Sequence, residues 1–305
     1  MLRMKREVLA IMSILLLLPA LLLSQGYVQS VGSTGNVDWT QQMMRSTGIG
    51  APNPNLPLAS QRAGALRAAK LDALRNLLET VKGVYLTSET LVENAMLSSD
   101  VISTRVEGAL KGFTVVNTRY LSTGDVEVEV EAPLTGIIMD ALLPPTTGGG
   151  MLQTAAQAVC PTCGQPIPPG TQLAGGAQPV QVGGAAASMS TSGTYTGLIV
   201  DARGLGLRPA MAPAVLDERG EEVYGSRFVS REYAVDIGMA GYEKDINRAR
   251  QNERVTNNPL VVKGVKASGP NKTDVVISSA DAAKIHGAAA NMNFLERCKV
   301  MVILD

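Results

Sequence analysis

The first strongly patterned stretch is an apolar run from Val8 to Leu23, broken only by Ser13 and Pro19 and preceded by Arg3, Lys5 and Arg6. A basic start, a short apolar run and small residues at Ser24 and Gly26 predict a signal peptide over residues 1–26, cut before Tyr27. An uncleaved anchor is the competing reading, although the run is short for a membrane span. Residues 27–57 show no periodicity. Gly, Ser, Thr, Asn and Pro dominate, only Asp38 and Arg45 are charged, and the stretch reads as an extended arm outside any domain. Helical spacing starts at Leu58, with Leu66, Ala69, Ala73, Leu77 and Val81 on one side and Lys70, Asp72, Arg75 and Glu79 on the other. Lys82-Gly83 supplies a basic last turn and a stop. Val84 to Met96 reads as strand, Asp100 to Leu110 as a second amphipathic helix, and Phe113–Leu121 with Val126–Glu131 as a hairpin around Ser122-Thr123-Gly124-Asp125.

A second patterned region opens near Tyr195. Leu198-Ile199-Val200 reads as a short buried strand, Ala214–Leu216 and Glu222–Tyr224 as a hairpin around Gly220, and Leu260–Val265 with Asp274–Ser278 as another strand pair. Asp245 to Val255 is polar and reads as an exposed helix or loop. Ser278 and Asp281 form a capping box for a helix running to about Asn293, and Lys299–Leu304 closes as a buried strand. The fold class is α+β: a small helix-strand-helix-strand-strand module over 58–140 and a second, mixed α/β domain over 196–305. Residues 141–195, rich in Gly, Pro and Ala, read as a long uncharged linker, since no charge occurs between Ala141 and Val200 while eleven glycines and seven prolines do.

Charge and composition then narrow the chemistry. Twenty-seven basic residues balance twenty-seven acidic ones, so no nucleic-acid partner is expected, and aromatics at 4% leave little for stacking platforms. A single histidine, His286, excludes mechanisms that need two imidazoles. It lies on the last helix without a Ser, Cys or acid partner, and reads as structural or exposed. Gly204 and Gly206 lack the third glycine of a dinucleotide loop, and Pro209 blocks the helix such a loop would need. Cys160-Pro-Thr-Cys163 is read first as a disulfide, in keeping with export to an oxidising compartment, and second as zinc shared between copies. A complete zinc site would need Cys298 and His286, both far along the chain. Cys298 is otherwise a buried free thiol. No cofactor is implied.

The strand Val126–Glu131 alternates strictly and lines Glu127, Glu129 and Glu131 along one face, about 7 Å apart. A solvated face is the plain reading. The sharper one is an acidic stripe that meets basic residues of a neighbouring copy, with Arg105, Lys111 and Arg119 as candidates. Trp39, the sole tryptophan, either covers its own domain or docks on a neighbour.

The run Ala69-Lys70-Leu71-Asp72-Ala73-Leu74-Arg75-Asn76-Leu77-Leu78, then Val81-Lys82-Gly83-Val84, Ile102-Ser103, Gly108 to Gly112, Tyr120 and Val126 to Val130, resembles the LPP-twenty family of bacterial envelope proteins, to which modules of flagellar assembly proteins P and T are related. The resemblance covers about a quarter of the chain and implies a small α/β module that packs into rings or disks at the outer membrane, often around the flagellar motor. Many members are lipoproteins, whereas the residues directly after the apolar run here, Ser24-Gln25-Gly26, include no lipid-attachment cysteine. The expected function is therefore a non-enzymatic periplasmic or outer-membrane-associated structural protein that self-assembles into a ring, disk or filament. Its expected partners are copies of itself and other envelope or flagellar motor proteins. The alternative is an adaptor for peptidoglycan or a secretion channel.

Overall fold

A computed structural model describes residues 26–144, 147 and 195–305, apart from the side chains of 58, 59 and 289–292. Residues 1–25, expected as part of a signal peptide, and the Cys160/Cys163 pair, expected as a disulfide or a shared zinc site, lie outside them. The described residues form two α/β units, each built on one sheet.

The first sheet has the order β1-β2-β3-β5-β4 and is antiparallel throughout, with β1 Val28–Val31, β2 Gly35–Asp38, β3 Met43–Gly50, β4 Thr114–Tyr120 and β5 Val126–Pro133. Its main helix is α1, Leu58–Lys82, followed by α2 Val92–Ser98, α3 Asp100–Leu110 and α4 Ile137–Leu142. Residues 28–50 are therefore not an arm. They supply three of the five strands, and the central one, β3, carries α1. The reason lies in what β3 buries: Met44, Ser46, Gly48 and Gly50 point inward, so three of its four inward positions are too small or polar to look like a core. A Cβ on Gly48 would lie 2.1 Å from the Ala73 nitrogen, and one on Gly50 2.1 Å from the Ala65 oxygen. The helix answers with Ala65, Ala69 and Ala73 at four-residue spacing, so the two backbones meet with almost no side chain between them.

Polar contacts fix the same approach. The Ser46 hydroxyl donates to the Ala73 carbonyl at 2.8 Å. Beyond Ser46, β3 has outrun β2, and α1 covers the free edge. The Asn76 amide donates to the Thr47 carbonyl at 2.7 Å, and the Ile49 N–H donates to the Asp72 carboxylate at 3.0 Å.

The stretch expected as a strand over Val84–Met96 instead holds only a Tyr85–Leu91 bridge before turning into α2. Its backbone is taken by the second unit: Met211 and Ala212 donate to the Tyr85 and Leu86 carbonyls at 2.9 and 2.8 Å. Helix α3 spans the expected residues, with the Ser99 side chain accepting from the Ile102 N–H.

The second sheet runs β8-β7-β11-β10-β6-β12-β9, with β6 Gly197–Asp201, β7 Val215–Leu216, β8 Glu222–Tyr224, β9 Gly241–Glu243, β10 Pro259–Ser268, β11 Asp274–Ile277 and β12 Val300–Ile303. Strands β10, β6, β12 and β9 are parallel. Parallel strands are buried on both faces, which is why β6 and β12 read as continuous apolar runs. Helices α5 Arg231–Ile237, α6 Ile246–Gln251 and α7 Ser279–Met292 complete the unit. Ile199, Met301 and Ile303 pack with Ala249 of α6 on one side of this sheet. On the other side Leu198, Val200, Val300 and Val302 belong to a single apolar cluster that continues into the first unit. The two units thus share a core.

Replacing Gly48 or Gly50 by alanine is expected to destabilise the protein by about 3 kcal/mol, at the upper end for overpacking, because the atoms met are backbone. Gly64→Ala, on the open side of α1, is expected to stabilise by up to about 1 kcal/mol. Urea unfolding of the three variants measures both.

Candidate functional site

The seam between the units gathers most of the buried polar chemistry. The β2–β3 turn inserts into the second unit, its backbone set by Asp38, whose carboxylate accepts from the Thr40 and Gln41 amides at 3.0 and 2.9 Å. Trp39 is 1% exposed and meets Tyr242 edge-on at 5.4 Å. It is consequently a contact inside one chain, and cannot serve as the exposed oligomer contact considered from sequence. Thr40 donates to the Tyr242 carbonyl at 2.7 Å, and the Gln42 side-chain amide donates to the Trp39 and Ala240 carbonyls at 3.0 and 3.2 Å.

On the α4 side, Asp140 accepts from Arg105 at 2.5 Å and from Arg231 of the second unit at 3.0 Å. Hydrogen bonds from Arg105 and then Arg231 hold its carboxyl below the usual range. Arg105 is thereby committed within its own chain and is withdrawn from the set expected to reach a neighbour.

A cleft of about 420 Å³ opens along the seam, lined by Gln42, Asp236, Glu253, Arg254 and Lys299 among others. Arg254 donates to the carbonyls of Gly238 and Cys298, each at 2.9 Å, and to that of Ile237. Its guanidinium therefore ties two loops together, and burial lowers its pKa. Beside it, burial pushes the Cys298 thiol up to about 12, against hydrogen bonding with Tyr224 and the charge of Arg254. A thiol so suppressed is a poor nucleophile or metal ligand. His286 is exposed, its ring 6.0 Å from Phe228. Among the described residues no group of three His, Cys, Asp or Glu side chains could hold a metal ion.

Glu127, Glu129 and Glu131 lie half-buried on the face of the first sheet turned away from α1. Glu131 pairs with Arg45 at 3.2 Å and Glu127 pairs with Arg119 across the β4–β5 hairpin. Arg119 is thus also used internally. Glu129, flanked in register by Thr47 and Asn117, forms no ion pair among the described residues. Ile49, opposite Glu127, is 56% exposed. On the other side of the sheet, α1 and α3 enclose an apolar groove of about 250 Å³ lined by Leu71, Leu74, Leu78 and Leu110, with Arg75, Lys111 and Glu107 on its rim. Among the described residues, Lys111 alone of the three basic candidates has no ion-pair partner, and it lies at this groove.

The described residues form a two-layer unit whose outer sheet face no other described layer covers, joined to the second unit by a densely bonded seam. Residues 36–133 match the LPP20 lipoprotein family. The matched stretch begins inside β2 and ends at the last residue of β5, so it includes β3, which composition had assigned to an arm. Residues 197–305 match a second family, described as Treponema pallidum Tp0624, second domain, which covers β6 to β12. No curated protein matches the chain. The two matches thus fall one on each sheet, the LPP20-like unit extending beyond its match to include β1. No helix among the described residues is long and apolar enough to cross a membrane.

Sequence reasoning missed Gln42, Asp140, Arg254 and Asp274, all of which act at or beside the seam. Asp274 is buried, accepts from the Ala214 amide at 3.0 Å and is hydrogen-bonded by Ser88 of the LPP20-like unit. Burial holds its carboxyl above the ordinary range, Glu222 and Glu89 add to the rise, and the two hydrogen bonds oppose it. A raised folded pKa means that folding favours the protonated acid. That contribution is complete below the unfolded value of about 4 and is lost as pH rises through the folded value. Asp274→Asn cannot ionise, so its stability relative to wild type is expected to increase from about pH 4 toward neutrality. Urea midpoints of the two proteins across that range test the sign.

Proposed function

We propose that this chain is a non-enzymatic, exported structural protein of the bacterial envelope that assembles with copies of itself into a ring, disk or filament. The observation that carries the reading is the bare face of the LPP20-like sheet. Among the described residues, no second layer covers its outward residues, Val28, Asn36, Arg45, Ile49 and Glu129 among them. A sheet face carrying exposed Val28 and Ile49 among charges suits a partner that brings both apolar surface and charge. The similarity to LPP20 lipoproteins and the basic-apolar N-terminus support placement in the envelope. The role of flagellar motor accessory scaffold is the finer part of the proposal and rests on the resemblance to flagellar assembly proteins P and T.

A second reading, an adaptor for peptidoglycan or a secretion channel, is favoured by one feature: the seam cleft of about 420 Å³ carries both charge signs and several amides. Such a site suits a polar ligand more than a hydrophobic one. Sedimentation of the purified chain at micromolar concentration separates the two readings. A concentration-dependent oligomer, visible as rings or filaments by electron microscopy, is expected. A monodisperse monomer overturns the scaffold and leaves the adaptor.

A further inference from the structure

If copies associate, the structure indicates which surfaces meet. Three exposed features of the LPP20-like unit compete: the β4 edge, the bare sheet face and the α1/α3 groove. The β4 edge is poorly suited to strand pairing. Its register shifts between Val115 and Asn117 and it carries Arg119, two devices that discourage edge-to-edge addition. The face and the groove are unlike each other, and complementary. On the face, Ile49 projects 56% exposed beside Glu127, with the unpaired Glu129 one pair further along β5. At the groove, Leu71 is 67% exposed and lies between Arg67 and Arg75 on the same side of α1, four residues to either side. Neither arginine has an ion-pair partner among the described residues, and nor does Lys111 on the opposite rim. Helix α1 as a whole carries Arg62, Arg67, Lys70, Arg75 and Lys82 against Asp72 and Glu79. Arg67 and Arg75 lie about 12 Å apart along the helix with Leu71 midway, so the step of about 6 Å from Leu71 to Arg75 is close to the step of about 7 Å from the Ile49–Glu127 pair to Glu129 along β5.

We infer that the bare sheet face of one copy docks on the α1/α3 groove of the next, Ile49 entering the leucine-lined groove and Glu129 facing Arg75 and Lys111. The occupant is a second copy of this chain, so the inference rests on the self-assembly proposed above and specifies its interface. The two surfaces lie on opposite sides of one sheet. The contact is therefore heterologous, each copy offers one of each surface, and repetition gives a closed ring or an open filament according to the rotation per step. Glu107, on the groove rim, faces the same way as the basic residues and reduces their net charge without reversing it.

Charge reversal provides the test. Exposed ion pairs contribute little, so neutralising one partner would be uninformative, whereas placing like charges opposite each other is strongly unfavourable. The chain is expressed from Met1, purified in the form the host yields, and followed by sedimentation velocity at low and physiological salt, with thermal melts as a folding control. Glu129→Lys and Arg75→Glu are each expected to weaken association by about tenfold or more while leaving the melts unchanged. An equimolar mixture of the two variants is expected to restore it, because each then meets an opposite charge on both of its surfaces. Ile49→Asp, with the exposed Ile137→Asp as control, is expected to abolish assembly where the control does not. Wild-type association is expected to weaken as salt rises. Oligomers that form unchanged in all the variants overturn this interface and leave self-assembly standing. A wild-type chain that stays monomeric overturns both.

Discussion

The close approach of two backbones, α1 on β3, governs the LPP20-like unit. Where a helix normally rests on a sheet through a layer of large side chains, here Gly48 and Gly50 leave no room for even a methyl group, and Ala65, Ala69 and Ala73 fill the contact from the other side. Such proximity forfeits the hydrophobic area that leucines would bury, and backbone packing and hydrogen bonding supply the compensation. Ser46, Asn76 and Asp72 bond directly across the contact, and the last two satisfy main-chain groups of β3 that β2 no longer reaches. Because the helix is drawn to the middle of the sheet, its flank turns outward with Leu71 exposed, and the groove against α3 follows. The outer sheet face is left bare by the same arrangement, since the unit's helical layer lies on the other side.

The seam imposes the second constraint. Trp39 and Gln42 sit on a turn that enters the Tp0624-like unit, while Tyr85 and Leu86 accept from Met211 and Ala212 in the reverse direction. These exchanges use backbone as well as side chains, and the apolar cluster runs through them without interruption. The reading of two charged modules joined only by a neutral strap is therefore incomplete. Whatever residues 141–195 do, the two units are already held in register by direct contact, with the chain still packed through Leu143.

The sequence was informative where burial is paid for in large apolar side chains. The alternating valines of β5, the continuous runs of β6 and β12 and the helices α1 and α3 were all readable because side-chain volume and periodicity agree there. Strand β3 was unreadable for the opposite reason: a strand whose inward residues are Ser46, Gly48 and Gly50 has the composition of a loop, and only the alanines opposite it explain the choice. The seam residues were missed on different grounds. Asp140, Arg254 and Asp274 carry no local pattern, since their partners lie on other elements far away in sequence. Of the candidate interface residues, Trp39, Arg105, Arg119, Glu127 and Glu131 proved to be engaged within the chain, because sequence reports which residues can pair and says nothing about which partner is nearer.

Those internal pairings sharpen the question of assembly. A unit with one sheet and one helical layer has few surfaces to offer, and the Tp0624-like unit occupies the side bearing the β2–β3 turn and the Tyr85–Ser88 loop. The β4 edge is bulged and charged. Among the described residues, two surfaces on opposite sides of the same sheet carry charge without an ion-pair partner, an acid beside an exposed isoleucine and bases beside an exposed leucine. Two unlike surfaces placed back to back cannot satisfy each other in a twofold dimer, whose contact needs the same patch on both copies. They can do so only between successive copies arranged head to tail, and the direction of growth then runs across the sheet, through the contact of α1 with β3.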